Sequence, residues 1–476
     1  MSLRVLSVEL LRHDLRARLP FRYGIVTMVA VPHVFLRLEV ETPAGRFRGM
    51  AADHLPPKWF TKDPARAIEG EIEDLLAVVT HAARAACEVR AANAFDFWLE
   101  LKARQAAWGA EAGHPPLLAQ FGTSLVERAL LEALARSCRS TLGALLRSDV
   151  LGMRLGAVHP ELGALAADRF LPAAPPRSIW CRHTVGMLDP LADADVTPET
   201  RLDDGLPQSL EANIAAYGLR HFKLKIDGGQ PDVALERLRA ILRLLEARAP
   251  QDHAFSIDGN ESFSSTASFQ EFWSRVTGDP VLRRGLDRLL FVEQPLARKV
   301  ALDPETADLR GWKDRPVIII DESDAEPEDV RRALELGYAG TSHKNCKGVF
   351  KGVAHAGLIA QRRVSTGRTL VHSGEDLSNI GPVALPQDLA VQAILGITSV
   401  ERNGHHYFAG LSPWPEAVQQ AMLQAHPDLF HRARAGWPTL TIDRGQISVG
   451  SVLDAPLGVG VELPLDGVGS GWRTIA

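Results

Sequence analysis

The sequence predicts an α/β fold, a modified (β/α)8 TIM-type barrel that follows an α+β N-terminal domain. Short apolar runs alternate with helical patterns over about 230 residues, which is typical of parallel strands joined by helices. Three of these runs end at a carboxylate, namely Asp258, Glu293 and Asp321. The C-terminal ends of barrel strands meet at one mouth, so these side chains are expected to lie close together.

Three segments of the chain differ in pattern. The chain has 476 residues, which is long enough for a barrel and a second domain. Residues 1–172 combine a predicted hairpin with amphipathic helices over 64–92 and 117–146. A proline-rich linker then leads into the predicted barrel, residues 173–410. Residues 411–476 are expected to return to the N-terminal domain.

The barrel prediction rests on eight strand-like segments. Helical patterns separate several of them, at 206–217, 232–249 and around 269–276. The predicted strands cover 178–185, 221–226, 253–257, 289–292, 317–320, a short stretch near 340–342, 368–372 and 396–400.

Composition excludes several classes of protein. The net charge of −5 is modest, so neither nucleic acid nor an anionic membrane is an expected partner. The four cysteines are far apart and form no metal-ligand pair, as is typical of reduced thiols. The sequence has neither a signal-peptide pattern nor an apolar run long enough to cross a membrane. A cytoplasmic protein is therefore expected, and homo-oligomerisation is compatible with the sequence.

Two lysines end the second predicted strand. Lys223 and Lys225 are two residues apart, so they lie on the same face of a strand. An isolated Lys-x-Lys is usually the solvated face of an edge strand. In a barrel both faces of each strand are covered, which places these lysines at the open mouth. There, the charge of each lysine would lower the pKa of the other, and a nearby metal ion would have the same effect. A lysine with a lowered pKa is usable as a general base.

The three carboxylates are spaced by about one strand–helix unit each. Any one of Asp258, Glu293 and Asp321 taken alone could be the N-cap of a helix. Three in successive units, each directly after an apolar run, favour a shared site instead. Carboxylate oxygens are ligands that suit Mg²⁺, with Mn²⁺ as the alternative.

A third lysine follows the next predicted strand. Lys344 is preferred to His343 and Lys347 as a catalytic residue because it lies nearer the predicted strand end. Asn260 follows Asp258 closely. It could hydrogen-bond to the metal ligands without binding the metal itself, or it could cap a loop.

Polar residues at the end of the following strand are candidates for orienting a substrate. They are His372, Ser373 and Glu375. A helix N-terminal cap at Ser373 is an equally good interpretation.

The motifs in this order resemble the enolase superfamily. They are Lys-x-Lys, Asp-x-Asn, Val-Glu-Gln-Pro, Asp-Glu-Ser and Lys-Asn-x-Lys-Gly, and the most specific pieces are residues 291–295 and 320–323. Within the superfamily they are most similar to the mandelate racemase/muconate lactonizing enzyme group, and there to the two-lysine muconate cycloisomerase type. The resemblance covers residues 20–410 and is weak in the N-terminal domain.

This resemblance implies a capping domain over the barrel and Mg²⁺ held by Asp258, Glu293 and Asp321. It implies removal of the proton α to the carboxylate of a small-molecule substrate, giving an enediolate stabilised by the metal. Cycloisomerisation, racemisation or epimerisation, and dehydration all share that step. The base and the acid on opposite faces of the substrate would be Lys225 and Lys344, with Lys223 supporting Lys225.

The resemblance also implies that loops of the capping domain close the site and select the substrate. These loops cover residues 21–27, with Phe21 and Tyr23, and 51–59. A different hypothesis is a barrel that binds a small ligand or a partner without turnover. A third, a metal-dependent hydrolase, is weaker because those sites rely on histidine ligands.

Overall fold

The N-terminal domain begins with an antiparallel sheet of three long strands in the computed structural model, which describes residues 3–476. Leu36, Leu38 and Val40 are buried, whereas the charged residues between them are partly exposed. This alternation is expected for a sheet with one face in the core. The strands are β1 (Arg4–Tyr23), β2 (Val26–Thr42) and β3 (Gly45–His54).

Four helices follow the sheet. The third is buried along almost its whole length, because it packs between the sheet and the barrel. The predicted helix over 117–146 is interrupted before Thr141, whose side chain caps the fourth helix. Residues 94–111, which had no predicted structure, form the second helix, with Asn93 as its N-cap. The helices are α1 (Ile68–Glu88), α2 (Ala94–Glu111), α3 (Pro116–Ser137) and α4 (Leu142–Leu146).

Eight parallel strands form the barrel. Neighbouring strands pair in the order β8-β7-β6-β5-β4-β11-β10-β9. A parallel bridge between Ile320 and Thr341 joins the two ends of this order and closes the barrel. The strands are β4 (Ser178–Val185), β5 (His221–Lys225), β6 (Ala254–Asp258), β7 (Leu289–Glu293), β8 (Ile318–Ile319), β9 (Gly340–His343), β10 (Val371–Gly374) and β11 (Ser399–Arg402).

Helices surround the barrel strands. Several begin with proline in the first turn, where the missing N–H is no loss. Others begin after a serine whose side chain accepts a backbone N–H, as Ser209 and Ser265 do. The helices are α5 (Leu210–Tyr217), α6 (Pro231–Arg248), α7 (Thr266–Gly278), α8 (Pro280–Gly285), α9 (Pro327–Glu335), α10 (Val349–Thr366), α11 (Ala384–Ile394) and α12 (Gly404–Tyr407).

The C-terminal segment contacts both the barrel and the N-terminal sheet. One of its strands pairs with β4 of the barrel, and the last pairs with β1. Its elements are α13 (Glu416–Ala425), β12 (Phe430–Arg432), β13 (Pro438–Leu440), β14 (Gln446–Ser448), α14 (Gly450–Asp454) and β15 (Arg473–Thr474).

The predicted fold class is confirmed, an antiparallel capping sheet with helices followed by a parallel barrel. The largest shifts in strand position concern β10 and β11, each of which begins about three residues later than predicted. Apolar residues precede both strands, so the predicted segments began too early. These residues are not paired with a neighbouring strand of the barrel. Among residues 3–476, no helix combines the length and apolar character needed to cross a membrane.

A buried ion pair joins the capping sheet to helix α3 and to the barrel. The Arg128 guanidinium donates to Asp53 Oδ2 at 2.8 Å, and both side chains are almost fully buried. The Asn379 amide donates to the other oxygen of Asp53 and to Asp388. The orientation of the capping domain therefore depends on this buried network.

Replacing Arg128 by methionine is expected to lower the free energy of unfolding by about 3–5 kcal/mol, because Asp53 would stay buried without its positive partner. Urea denaturation followed by circular dichroism measures the difference. The matched control is Arg104→Met, which removes exposed pairs with Glu100 and Glu88 and should change stability by less than about 1 kcal/mol. Equal stability of the two variants would contradict the prediction.

Candidate active site

Two lysines lie on opposite sides of the barrel mouth. The strand order places β5 and β9 four positions apart in either direction around the closed barrel. Lys225 is the last residue of β5, and Lys344 directly follows β9. Both side chains line a cavity between the barrel and the capping domain. A molecule in this cavity would therefore have one lysine on each side.

Five buried carboxylates on the two arcs between these lysines contact Lys223, Lys225 or Lys344. On one arc they end or follow the consecutive strands β6, β7 and β8. On the other arc one follows β10 and one lies in β11. In chain order they are Asp258, Glu293, Asp321, Glu375 and Glu401.

Lys223 occupies the centre of the acidic cluster. Its side chain is 2% exposed, because it points into the barrel two residues below Lys225 on the same face. Four carboxylates therefore surround a single ammonium group. Its Nζ atom lies 2.7 Å from Glu293 Oε1, 2.9 Å from Glu401 Oε2, 3.0 Å from Glu375 Oε2 and 3.1 Å from Asp258 Oδ2.

Each of the two outer lysines is bound to an acid of the cluster. Lys225 Nζ donates to Asp258 Oδ2 at 2.7 Å and to Asn260 Oδ1 at 3.2 Å. Lys344 Nζ donates to Asp321 Oδ2 at 2.8 Å and to Glu375 Oε2 at 2.6 Å. These salt bridges hold both ammonium groups at the edge of the cavity.

The sequence predicted that the lysines lower the pKa of one another, but their pKa values in the structure are raised. Burial alone would lower the pKa of Lys223 and of Lys344, but the surrounding carboxylates outweigh burial and raise both pKa values well above the usual range. The pKa of Lys225 is raised in the same way, mainly by Asp258. Lysine–lysine repulsion is present but smaller, so the protein without a metal ion keeps these groups charged.

Three of the buried carboxylates converge as metal ligands could. One oxygen from each of Glu293, Asp321 and Glu375 lies within 4.8 Å of the others. Within residues 3–476, Glu293 Oε2 is buried and has no hydrogen-bond partner. Burial and the nearby Glu375 raise the pKa of Glu293 well above its usual value. An oxygen-only donor set of this kind fits Mg²⁺ or Mn²⁺.

This converging set differs from the predicted ligands in one residue. Glu293 and Asp321 belong to both sets. Glu375, which was predicted to orient the substrate, takes the third place in the structure. Asp258 lies beside the set, where Lys223 and Lys225 share its Oδ2. Neighbouring ammonium groups overcome the effect of burial and lower the pKa of Asp258.

Three of the predicted substrate-binding residues line the cavity, namely Phe21, Tyr23 and Asn260. Ser373 lies inside the barrel, where its hydroxyl accepts a hydrogen bond from Arg182. His372 alternates with Ser373 along β10 and so lies on the outer face of the barrel, beside His343. Neither histidine lines the cavity.

Several residues at the site were not predicted from the sequence. Glu401 and Arg182 are buried inside the barrel and contact Lys223 and Glu375, respectively. No motif marked them: Arg182 lies within the predicted strand 178–185, and Glu401 lies one residue beyond the predicted strand 396–400. Lys347, considered as an alternative to Lys344, donates instead to Asp321 Oδ1 at 2.8 Å and to the carbonyl of Asp321.

The capping domain forms the roof of the cavity. The Trp59 ring centroid is 5.3 Å from Lys344 Nζ, a cation–π contact. The open volume of the cavity is about 50 Å³, little more than the room that one or two water molecules need. A substrate therefore requires side chains of the roof to move.

Solved structures with the same architecture cover nearly the whole chain. An enolase from Bradyrhizobium complexed with magnesium and mandelic acid is 14% identical, with a TM-score of 0.57 over 98% of this chain and 97% of that one. The 2-chloromuconate cycloisomerase of Rhodococcus opacus is 16% identical, with a TM-score of 0.60 over 97% of each chain. The N-succinyl Arg/Lys racemase of Bacillus cereus is 15% identical, with a TM-score of 0.60 over 99% of this chain and 100% of that one.

No protein-family model matches the chain, and neither does any curated protein. The similarity to known proteins is therefore a similarity of fold. The capping sheet and the closed barrel of this chain have the fold of the enolase superfamily.

Proposed function

We propose that the chain is an enolase-superfamily lyase or isomerase of the mandelate racemase/muconate lactonizing enzyme group. In this proposal it removes the proton α to the carboxylate of a small substrate, with the help of a divalent metal ion. The observation that carries the proposal is the placement of Lys225 and Lys344 on opposite sides of one cavity, with a buried carboxylate cluster between them.

In this proposal the two lysines move a proton. A substrate carbon between them has one Nζ atom on each face, so one lysine takes the α-proton and the other can deliver a proton from the opposite side. Lys223 lies below Lys225 and fixes the neighbouring carboxylates. The roof formed by Trp59 excludes water from the Lys344 side.

Asp258, Glu293 and Asp321 are the proposed ligands, because they end or follow three consecutive strands on one arc of the mouth. A bound divalent cation supplies positive charge that lowers the pKa of the nearby lysines and stabilises negative charge developing on the substrate carboxylate. Glu375 is proposed to hold Lys344 and Lys223, since its Oε2 accepts from both.

The cavity also indicates the character of the rest of the substrate. Its capping side is lined by apolar surface, and both lysines there are already engaged. Lys58 is bound by Glu71, and Lys62 by Glu261 and a backbone carbonyl. A carboxylate with an uncharged, apolar substituent therefore fits better than one with a second charge. The apolar residues on the capping side are Phe21, Tyr23, Met28, Pro56 and Trp59, and Leu377 adds apolar surface from the barrel side.

Exchange of the α-proton with solvent tests the proposal without knowledge of the final product. Carboxylates with apolar, cationic and anionic substituents would be incubated with the Mg²⁺-loaded protein in ²H₂O, and ²H incorporation followed by NMR. Racemisation, cycloisomerisation and dehydration all begin with this step. A protein that binds these carboxylates but exchanges none of them would support the inactive barrel instead.

Replacing either Lys225 or Lys344 by alanine is expected to lower turnover by at least about 10²-fold, because positioned acid–base groups supply that order of rate. Metal affinity, measured by calorimetry with Mn²⁺, should stay nearly unchanged. If the enzyme racemises, each single variant should still exchange the α-proton of one enantiomer. In a dehydratase or cycloisomerase, loss of the abstracting lysine should remove exchange completely.

Lys347→Ala is the matched comparison for Lys344, since both lysines donate to Asp321. Lys347 does not line the cavity, so its loss should leave most of the exchange activity. A normal Lys344 variant beside a dead Lys347 variant would contradict the assignment.

Metal binding separates the two candidate ligand sets. Glu293→Gln and Asp321→Asn should each weaken Mn²⁺ binding at least about tenfold, because both sets contain these residues. Asp258→Asn should do the same under the proposed set. Calorimetric titration of the metal-free protein measures each affinity.

Glu375→Gln decides the third ligand. If the proposed ligands are correct, the Glu375→Gln variant should bind Mn²⁺ about as tightly as the unmodified protein, while its proton exchange is impaired. A large loss of affinity with Glu375→Gln but not with Asp258→Asn would assign the site to Glu293, Asp321 and Glu375.

A further inference from the structure

One guanidinium group ties the capping loop to the barrel. The capping loop, residues 55–67, connects β3 to α1 and carries Trp59. Arg298, in the loop that follows β7, donates to the carbonyl of Phe60 at 2.7 Å and to the carbonyl of Trp59 at 2.8 Å. Arg298 thus holds two consecutive peptide groups of the roof.

The same guanidinium is held in place from the barrel side. Glu261, in the loop after β6, accepts from Arg298 Nε at 2.7 Å and from the second guanidinium nitrogen at 2.8 Å. Such a bidentate pair fixes the plane of the guanidinium. Glu261 is buried, and Lys62 of the capping loop lies 3.4 Å from it. Arg298, Glu261 and Lys62 together are called the Arg298 clamp.

The backbone around the clamp is strained. Lys58, Lys62, Asn260 and Glu261 all have positive φ values, between 49° and 64°, although none is glycine. With Ser378, they are five of the eight such residues in the part of the chain that the structure describes, and all five line the cavity. Residues in this conformation persist when surrounding contacts hold them, and they concentrate at functional sites.

Trp59 connects the clamp to the candidate chemistry. Its backbone carbonyl is bound by Arg298, and its ring lies against Lys344. Trp59 is 9% exposed and Lys344 is buried beneath its ring, so the ring shields the ammonium group from solvent. A shift of the loop would expose Lys344 and change its surroundings.

We propose that Arg298 is a positioning residue, which holds the Trp59 ring against Lys344 through the Arg298 clamp. Its importance for proton transfer rests on the proposed function, but the position of the loop does not. Loss of the clamp should loosen the capping loop and disturb the Lys344 side of the cavity more than the Lys225 side.

Backbone hydrogen exchange tests the clamp in metal-free, substrate-free protein. In Arg298→Met, the rate of amide hydrogen exchange in peptides covering 55–62 should rise about tenfold, because hydrogen bonds to a charged group are lost. Exchange in α6 should not change comparably. Arg298→Lys should restore only part of the protection from exchange, because one ammonium group cannot bridge two carbonyls and a carboxylate together. The control is Arg315→Met, which also removes a guanidinium bound to two carbonyls, those of Trp312 and Gly337.

Fluorescence gives an independent measure of the Trp59 ring. The chain has nine tryptophans, so the Trp59 signal is the difference between each protein and its Trp59→Phe version. In Arg298→Met this difference signal should shift to longer wavelength and become more accessible to acrylamide. Unchanged exchange at 55–62 and an unchanged Trp59 signal would overturn the proposal, whatever reaction the protein catalyses.

Proton exchange with a pair of enantiomers tests the effect on chemistry. Arg298→Met should slow exchange from the enantiomer whose α-proton faces Lys344 more than from the other. Equal loss for both enantiomers would refute the link to Lys344. If the unmodified protein exchanges no carboxylate, the proposed function fails, while the loop and Trp59 measurements still decide the clamp.

Discussion

The ammonium group of Lys223 among four carboxylates is the interaction on which the rest of the site depends. Without it, Glu293 and Glu401 would be buried with no cationic partner in the described part of the chain, and Asp258 and Glu375 would each lose one of their ion pairs. The five carboxylates of the mouth are matched by five cationic groups that contact them. These are Arg182, Lys223, Lys225, Lys344 and Lys347.

This balance explains how so many charges can be buried. Each ion pair recovers part of the desolvation free energy of its members, and removal of one partner would leave another uncompensated. Among the five carboxylates, only Glu293 keeps a buried oxygen, Oε2, without a hydrogen-bond partner in residues 3–476. Lys225 and Lys344, which would move protons, are also paired with carboxylates of this cluster.

The capping domain is attached to this site by two different kinds of contact. The fully buried pair of Arg128 and Asp53 is remote from solvent and fixes the domain as a whole. The Arg298 clamp lies at the rim and acts on a single loop. The anchor therefore ties the domain to the barrel, and the clamp ties one loop of the roof to it.

The sequence by itself determined the fold class and the residues at the strand ends. Periodicity is a local property, so the apolar runs ending at Asp258 and Glu293 revealed strands that end at the mouth. Only the tertiary structure decided which charges meet, because Glu375, Glu401 and Arg182 come from strands on the far side of the barrel. The pKa values of the lysines and the Arg298 clamp likewise depend on residues distant in the chain, which no local pattern records.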